Sequence, residues 1–334
     1  MTFLTIPDNY APVDGRLFYQ FETGGESLDL DIKVIDLLAN HVIGSKRIYD
    51  SAYGEIDIAP ILRKMFAYSL VDSETGTSTS YGLSKRVCVE VNGERSDARI
   101  FMAVDIADSS SPCVLGLDDG TQRQIAFGES EQIFFFAPDG GTVEVTAAGG
   151  GVSDRRSYES QPDESLQIFY IRPSDFPPQT ESINVVFMLP GKVASIEYRL
   201  VRRPSSARRM SWVDTKGIMR FHTFPTCSPK TVRFDRERIY GPSGYVDIDV
   251  RTETLLRLVS DFEPRARVEK LAGILSSRFI WLRDAGEWVR MCAVSAETAI
   301  ACDGSLNRAG IEVKPGSRDG RLWNSISSTL CAHA

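Results

Sequence analysis

Polar and apolar residues alternate along much of this chain. In SLDLDIKVIDL, Leu28, Leu30, Ile32 and Val34 fall on one side and Asp29, Asp31 and Lys33 on the other. A repeat of two predicts a strand with one covered face. RVCVEVNGERSDARIFMAVDI sets Asn92-Gly93 between two apolar runs. Asn-Gly supplies the positive φ values of a tight type I′ turn, so a hairpin is predicted there. QIFFFAPDGGTVEVTA, with Asp139-Gly140-Gly141, and RFIWLRDAGEWVRMCAV, with Asp284-Ala285-Gly286, predict two more. Helical spacing is scarcer. EIDIAPILRKMFAY puts Ile58, Ile61, Leu62, Met65 and Phe66 on one helical face, with Asp57 as N-cap and Pro60 in the first turn. A second helical region is predicted from Thr252 toward Ser277. Its stripes are Leu255/Leu256/Val259 and Val268/Leu271/Ile274/Leu275, parted at Pro264.

These elements predict a mainly-β protein, with antiparallel β-sandwich modules followed by a C-terminal α+β module. Two stretches read as boundaries. Ala147–Ser165 is rich in Gly, Ser and charge, and TFPTCSPKTVR carries two prolines. Cuts there give modules over 1–150, 151–226 and 227–334. No repeat of 20–50 residues is visible.

Composition narrows the class without choosing a function. The 334 residues are 42% hydrophobic and 25% charged, ordinary for globular domains that bury a core. The net charge of −7 disfavours nucleic acid or an anionic membrane as a partner of the whole molecule. The opening MTFLTIPDNYAPVDGR has neither the basic nor the continuous apolar part of a secretory signal, so the cytoplasm is the expected location. Six cysteines without a C-x-x-C pair are expected as reduced thiols, with Cys88 and Cys292 acting as small hydrophobes inside strands.

Candidate chemistry is sparse. His41, His222 and His333 lack the spaced partners of zinc or metalloprotease motifs, and no G-x-S-x-G nucleophile elbow occurs. TAAGGGVSD lacks the Gly-Lys-Ser/Thr ending of a phosphate loop. A pair of glycosidase carboxylates needs only spatial proximity, and nothing in the sequence selects one. No catalytic, cofactor-binding or metal-binding residue is therefore assigned, and the chain is read as non-enzymatic. Arg199, Arg202, Arg203, Arg208 and Arg209 crowd around RRPSSARR with Tyr198 and Trp212 nearby. Too few aromatics interleave them for nucleic-acid stacking. The segment is read as a solvated hairpin loop or as a docking surface for an acidic subunit, with Arg202, Arg203, Arg208, Arg209 and Trp212 as interface candidates.

RRMSWVDTKGIMRFHTFP follows directly. Asp214 and Gly217 fit a type I turn closed by a left-handed glycine, so its aromatics are explained by folding. MSWVDTKGIMRFHTF also resembles the W-[LVI]-[ND]-x-x-G-x-x-x-x-x-x-F hairpin of phage-tail-like structural proteins encoded by Bacteroidetes prophages. RTETLLRLVSDF, VEKLAGILSSRFIWL, GEWVRMCAVSAETAI and LNRAGIEVKPG are similar to the C-terminal part of those proteins. IPDNYAPVDGRLFYQFET and YDSAYGEIDIAPILRKMF are similar to their N-terminal β module. Asp214 stands where Asn is commoner, and the arginine loop is outside the pattern. The resemblance implies a non-catalytic subunit that contacts other subunits or itself and passes from the cytoplasm into a virion or tail-like particle. The alternative is a glycan-binding β-sandwich, with Trp212, Trp281, Trp288 or Trp323 stacking on a sugar.

Overall fold

The computed structural model describes residues 1–106, 111–227, 231–242, 244–284, 286–294 and 306–316. The protein is mainly β and its sheets are largely antiparallel. It forms two units. The first comprises Met1–Val201 with Lys216–Ile218, and the second Arg202–Thr215 and the chain from Met219 onward.

The alternation in SLDLDIKVIDL is realised by the strand Leu28–Asp36, where Leu30, Ile32 and Val34 are fully buried, although Leu28 at its start is exposed. This strand pairs with Ser84–Val91 on one side and His41–Ser51 on the other. Asn92 and Gly93 both take positive φ, 49° and 91°, and Val91 pairs with Glu94 across them. A Cβ at Gly93 would meet nothing within 4 Å. Gly93→Ala is therefore expected to cost only about 1 kcal/mol, from its backbone geometry alone. A urea titration checks this, and a loss several times larger would show that the turn is packed.

Further along the first unit, a four-stranded sheet faces a five-stranded one across a shared core. Ile133, Phe135, Phe169 and Ile171 come from the first sheet. Val143, Val145, Ile183, Val185, Phe187, Ile196 and Tyr198 come from the second. Phe187 meets Phe135 and Phe169 with ring centroids 5.5 and 5.9 Å apart. Two sheets closing on one apolar layer make a β-sandwich.

In the second unit a seven-strand path, β hairpins included, is covered by one helix, α2 (Arg265–Ser276). Val268, Leu271 and Ile274 of α2 pack on Met210, Trp212, Phe224, Leu256, Leu258, Ile280, Leu282, Met291, Ile311 and Val313. This is the expected α+β module, and the opening hairpin belongs to it because Met210, Trp212 and Phe224 complete the layer under α2.

Several expectations are corrected. The boundary near 150 falls on a hairpin turn: Gly141–Gly149 and Val152–Ser160 pair over nine positions. The second strand lies at the sheet edge, and its exposed Arg155 reaches back to Glu144 at 2.5 Å. Charged side chains on an edge oppose further pairing, and they gave this strand the composition of a loop. The boundary near 226 gives way to a division at 201/202, so two units replace the three modules. Asp139-Gly140 does turn the chain, but Glu131–Phe136 and Gly141–Gly149 enter opposite sheets of the sandwich and form no hairpin. The first helix, α1 (Ala59–Leu62), is a single turn with Ile58 at its N-cap position. Asp57 still serves it, since its carboxylate accepts the N–H groups of Ala59 and Leu17, each at 3.0 Å. Only α2 of the second helical region is helical. Residues 244–259 form a strand, because the backbone pairs with Thr231–Gly241 and then with Gly310–Pro315. Cys88 is buried as expected, whereas Cys292 is exposed. Cys302, Cys331 and His333 lie outside the described residues.

Candidate functional site

The interface candidates separate on folding. RRPSSARR is not a hairpin loop: it links Lys192–Val201, in the five-stranded sheet of the first unit, to Arg208–Val213, in the sheet of the second. Arg202 is exposed and Arg203 half-buried. Arg208 approaches Asp284 at 3.6 Å and donates to the carbonyls of Ser205 and Ala207. Arg209 is buried, donates to the Thr223 hydroxyl at 3.1 Å and lies over the Phe221 ring. Trp212 is only 3% exposed and belongs to the core under α2. Burial withdraws Arg209 and Trp212 from any docking surface and leaves Arg202 as the accessible member.

Burial also covers most of the described tryptophans that could stack on a sugar. Trp281 is buried, and Trp288 is half-buried with its ring edge-on to Phe221 at 6.2 Å. Trp323 lies outside the described residues. Among the described tryptophans, Trp288 alone keeps partial access to solvent.

The strand position of His222 allows an exposed or a packed side chain, and the packed one is realised. It is buried beside Phe224, ring centroids 4.8 Å apart, and its Nε2 has no hydrogen-bond partner. Burial first, and then Arg267, Arg203 and Arg209, push its pKa down to about 3. A histidine held neutral over that range has no imidazolium proton to give as a general acid near neutral pH. Among the described residues no group of three or more His, Cys, Asp or Glu could hold a metal ion. A cleft of about 230 Å³ in the first unit is lined by Leu38, Tyr81, Lys85, Arg86, Asp163 and Glu164, with others. It is smaller than the ~300–1,000 Å³ typical of ligand sites. Tyr10 donates to Glu164 at 3.0 Å, and burial together with that carboxylate raises its pKa to about 12.

The surface that stands out was not singled out in the sequence. Thr231–Gly241 and Gly244–Val259 form a long antiparallel hairpin, register-matched from Thr231/Leu255 to Gly241/Gly244 with one bulge at Glu237/Arg238. Thr231–Gly241 pairs with no other strand among the described residues, and Gly244–Val259 gains its further partners only at Leu256–Val259. Residues 231–255 thus form a two-stranded arm. Ile239, Tyr240, Tyr245, Val246 and Ile248 are 50–78% exposed. Pairing sets Ile239 opposite Val246, and Ile248 is the extra residue of the bulge, between Asp247 and Asp249. Tyr240 and Tyr245 pair on the other face, ring centroids 5.1 Å apart. There Arg236 and Arg238 grip Asp247 at 2.8 and 2.7 Å, and the Arg238 bond, followed by that of Arg236, holds its carboxyl below the usual carboxylate range. The clue in the sequence was YVDIDV following Gly-Pro-Ser-Gly, a strand alternation behind a turn.

No protein-family model matches the chain, and no curated protein matches it either. Among solved structures, the chain is similar to a complex of Dpr2 Ig1-Ig2 with DIP-Theta Ig1-Ig3, at 8% identity and a TM-score of 0.21, covering 96% of this chain and 90% of that one. Sidekick-1 immunoglobulin domains 1–5 align at 10% identity and a TM-score of 0.17, covering 94% and 92%. The plexin A4 extracellular region aligns at 11% and 0.19, covering 93% of this chain and 39% of that one. Scores of this size lie below those of a shared fold. Among the described residues no helix is long and apolar enough to cross a membrane.

Proposed function

We propose that this protein is a non-catalytic structural or assembly subunit that acts through protein–protein contacts, in a phage-tail or prophage-encoded particle of the kind its sequence resembles. The observation that supports this is the arm. An isolated two-stranded hairpin is marginal in water, and this one exposes five large apolar side chains within ten residues. Covering them against another protein surface would stabilise both the arm and the contact. The sandwich and the helix-covered sheet serve as rigid bodies that carry contact surfaces.

Electron microscopy and light scattering of the purified chain, alone and co-expressed with the products of adjacent reading frames, test the reading. The expected result is an ordered assembly or a stoichiometric complex. A strict monomer at the highest soluble concentration, together with no complex with any of those products, would overturn it.

A further inference from the structure

We infer that the occupant of the arm is the arm of a second copy of this chain, added edge to edge. In this arrangement the outer edge of residues 244–255 in one copy pairs with the outer edge of Thr231–Gly241 in the next. This deepens the assembly reading above and rests on it.

Four observations converge. First, both outer edges lack a strand partner among the described residues, so each presents unpaired N–H and C=O groups. Second, the two strands of the arm run in opposite directions. Copies set side by side in the same sense therefore continue the antiparallel alternation without reversing either chain. Third, the edges carry opposite charge. Among the described side chains, the first strand of the arm carries Arg236 and Arg238 against Glu237, whereas the second carries Asp247 and no base. Pairing unlike edges brings opposite signs together, and pairing either edge with itself brings like signs together. Fourth, edge-to-edge addition sets the exposed side chains on each face of the arm, Ile239 and Val246 on one and Tyr240 and Tyr245 on the other, beside side chains on the same face of the neighbour, which covers their flanks.

An interface that joins two different edges leaves one of each kind free. It therefore repeats from copy to copy and yields a ring where the rotation closes or a filament where it does not. A two-fold dimer would use a single kind of edge.

Two exposed residues that face each other across the arm, Ile239 and Val246, allow a charge-swap test in the full-length chain. Ile239→Glu adds an acid to the basic edge and so sets it against the acidic edge of its neighbour. Val246→Lys adds a base to the acidic edge and sets it against the basic one. Each variant alone is expected to associate at least about tenfold more weakly than the parent in sedimentation velocity, with an unchanged circular dichroism spectrum. An equal mixture of the two is expected to recover association, because unlike charges then meet at the altered edges.

If one variant alone associates like the parent, pairing of unlike edges is overturned. If the mixture fails to recover while both variants stay folded, contact at this level of the arm is overturned. If the parent is monomeric but forms a complex with an adjacent gene product, the second-copy inference falls and the assembly function stands. If it forms neither, both fall.

Discussion

Gly217→Ala is expected to destabilise the first unit by about 2–4 kcal/mol, several times the cost of Gly93→Ala. Both glycines hold positive φ, 78° at Gly217 and 91° at Gly93, so a side chain meets similar backbone strain at either place. Their surroundings differ. A Cβ at Gly93 would enter open space, whereas one at Gly217 would overlap the carbonyl oxygen of Ala103 and lie 2.9 Å from the Tyr68 hydroxyl. Neither neighbour can yield cheaply. The Ala103 oxygen is backbone, and the Tyr68 hydroxyl is held 2.9 Å from the Gly217 carbonyl and 3.1 Å from that of Ala103. The N–H of Asp105 also donates to the carbonyl of Lys216 at 2.9 Å. Relief therefore requires a shift of paired backbone. Urea titrations of the two variants read at the same wavelength make the comparison, and equal losses would show that Gly217 is needed for its φ alone.

The second large effect is on acid stability. Between pH 7 and pH 4 the second unit is expected to lose a few kcal/mol through His222, on the order of one for each pH unit crossed. The direction follows from the two states. Unfolded, the imidazole takes up a proton as the pH falls through its ordinary 6.5. Folded, burial and the three arginines keep it neutral down to about 3. Across that window the unfolded chain binds the extra proton, so stability present at pH 7 drains away as the pH falls. Glu263 and Asp284 act in the opposite sense, because burial raises their carboxyl pKa values and their folded forms take up protons first. A comparison with His222→Leu separates these contributions. Amide hydrogen exchange of Arg208–Val213 and Met219–Phe224 should weaken with acid in the parent and much less in the variant. Identical pH slopes would remove His222 as the cause.

How much could be read beforehand depended on where a residue's partner lies. Turn chemistry is local, and Asn92-Gly93, the glycine at 286 and the hairpin closed by Gly217 form with the φ values their residue types favour. Strands with one wet face, such as Leu28–Asp36, announced themselves by alternation. The misread segments lacked that contrast. Val152–Ser160 is an edge strand dressed in charge, and so resembles a connection. In Gly244–Val259, Leu255, Leu256 and Val259 mimic a helical stripe. The choice of strand is imposed by Thr231–Gly241 over most of its length and, at Leu256–Val259, by Gly310–Pro315, a partner more than fifty residues away in the chain.

The candidate site divides along the same line. Trp212 and Arg209 look like contact residues in a linear reading, because aromatic and guanidinium groups are enriched at interfaces. Their burial depends on α2 and on Thr223 and Phe221, which meet them only after folding. The arm is the converse: apolar residues that a linear reading would place in a core remain in water, because no strand or helix among the described residues covers them.

The amino-acid sequence by itself determined the mainly-β class, the tight turns and the helix Arg265–Ser276, since these rest on residue periodicity and on φ preferences that act within a few positions. The tertiary structure alone decided which strands share a sheet, where the two units divide, that His222 is walled in by arginines, and that residues 231–255 stand apart as an arm. Each of these depends on contacts between residues distant in the chain, and local pattern carries no information about which distant segment will complete a layer or leave an edge open.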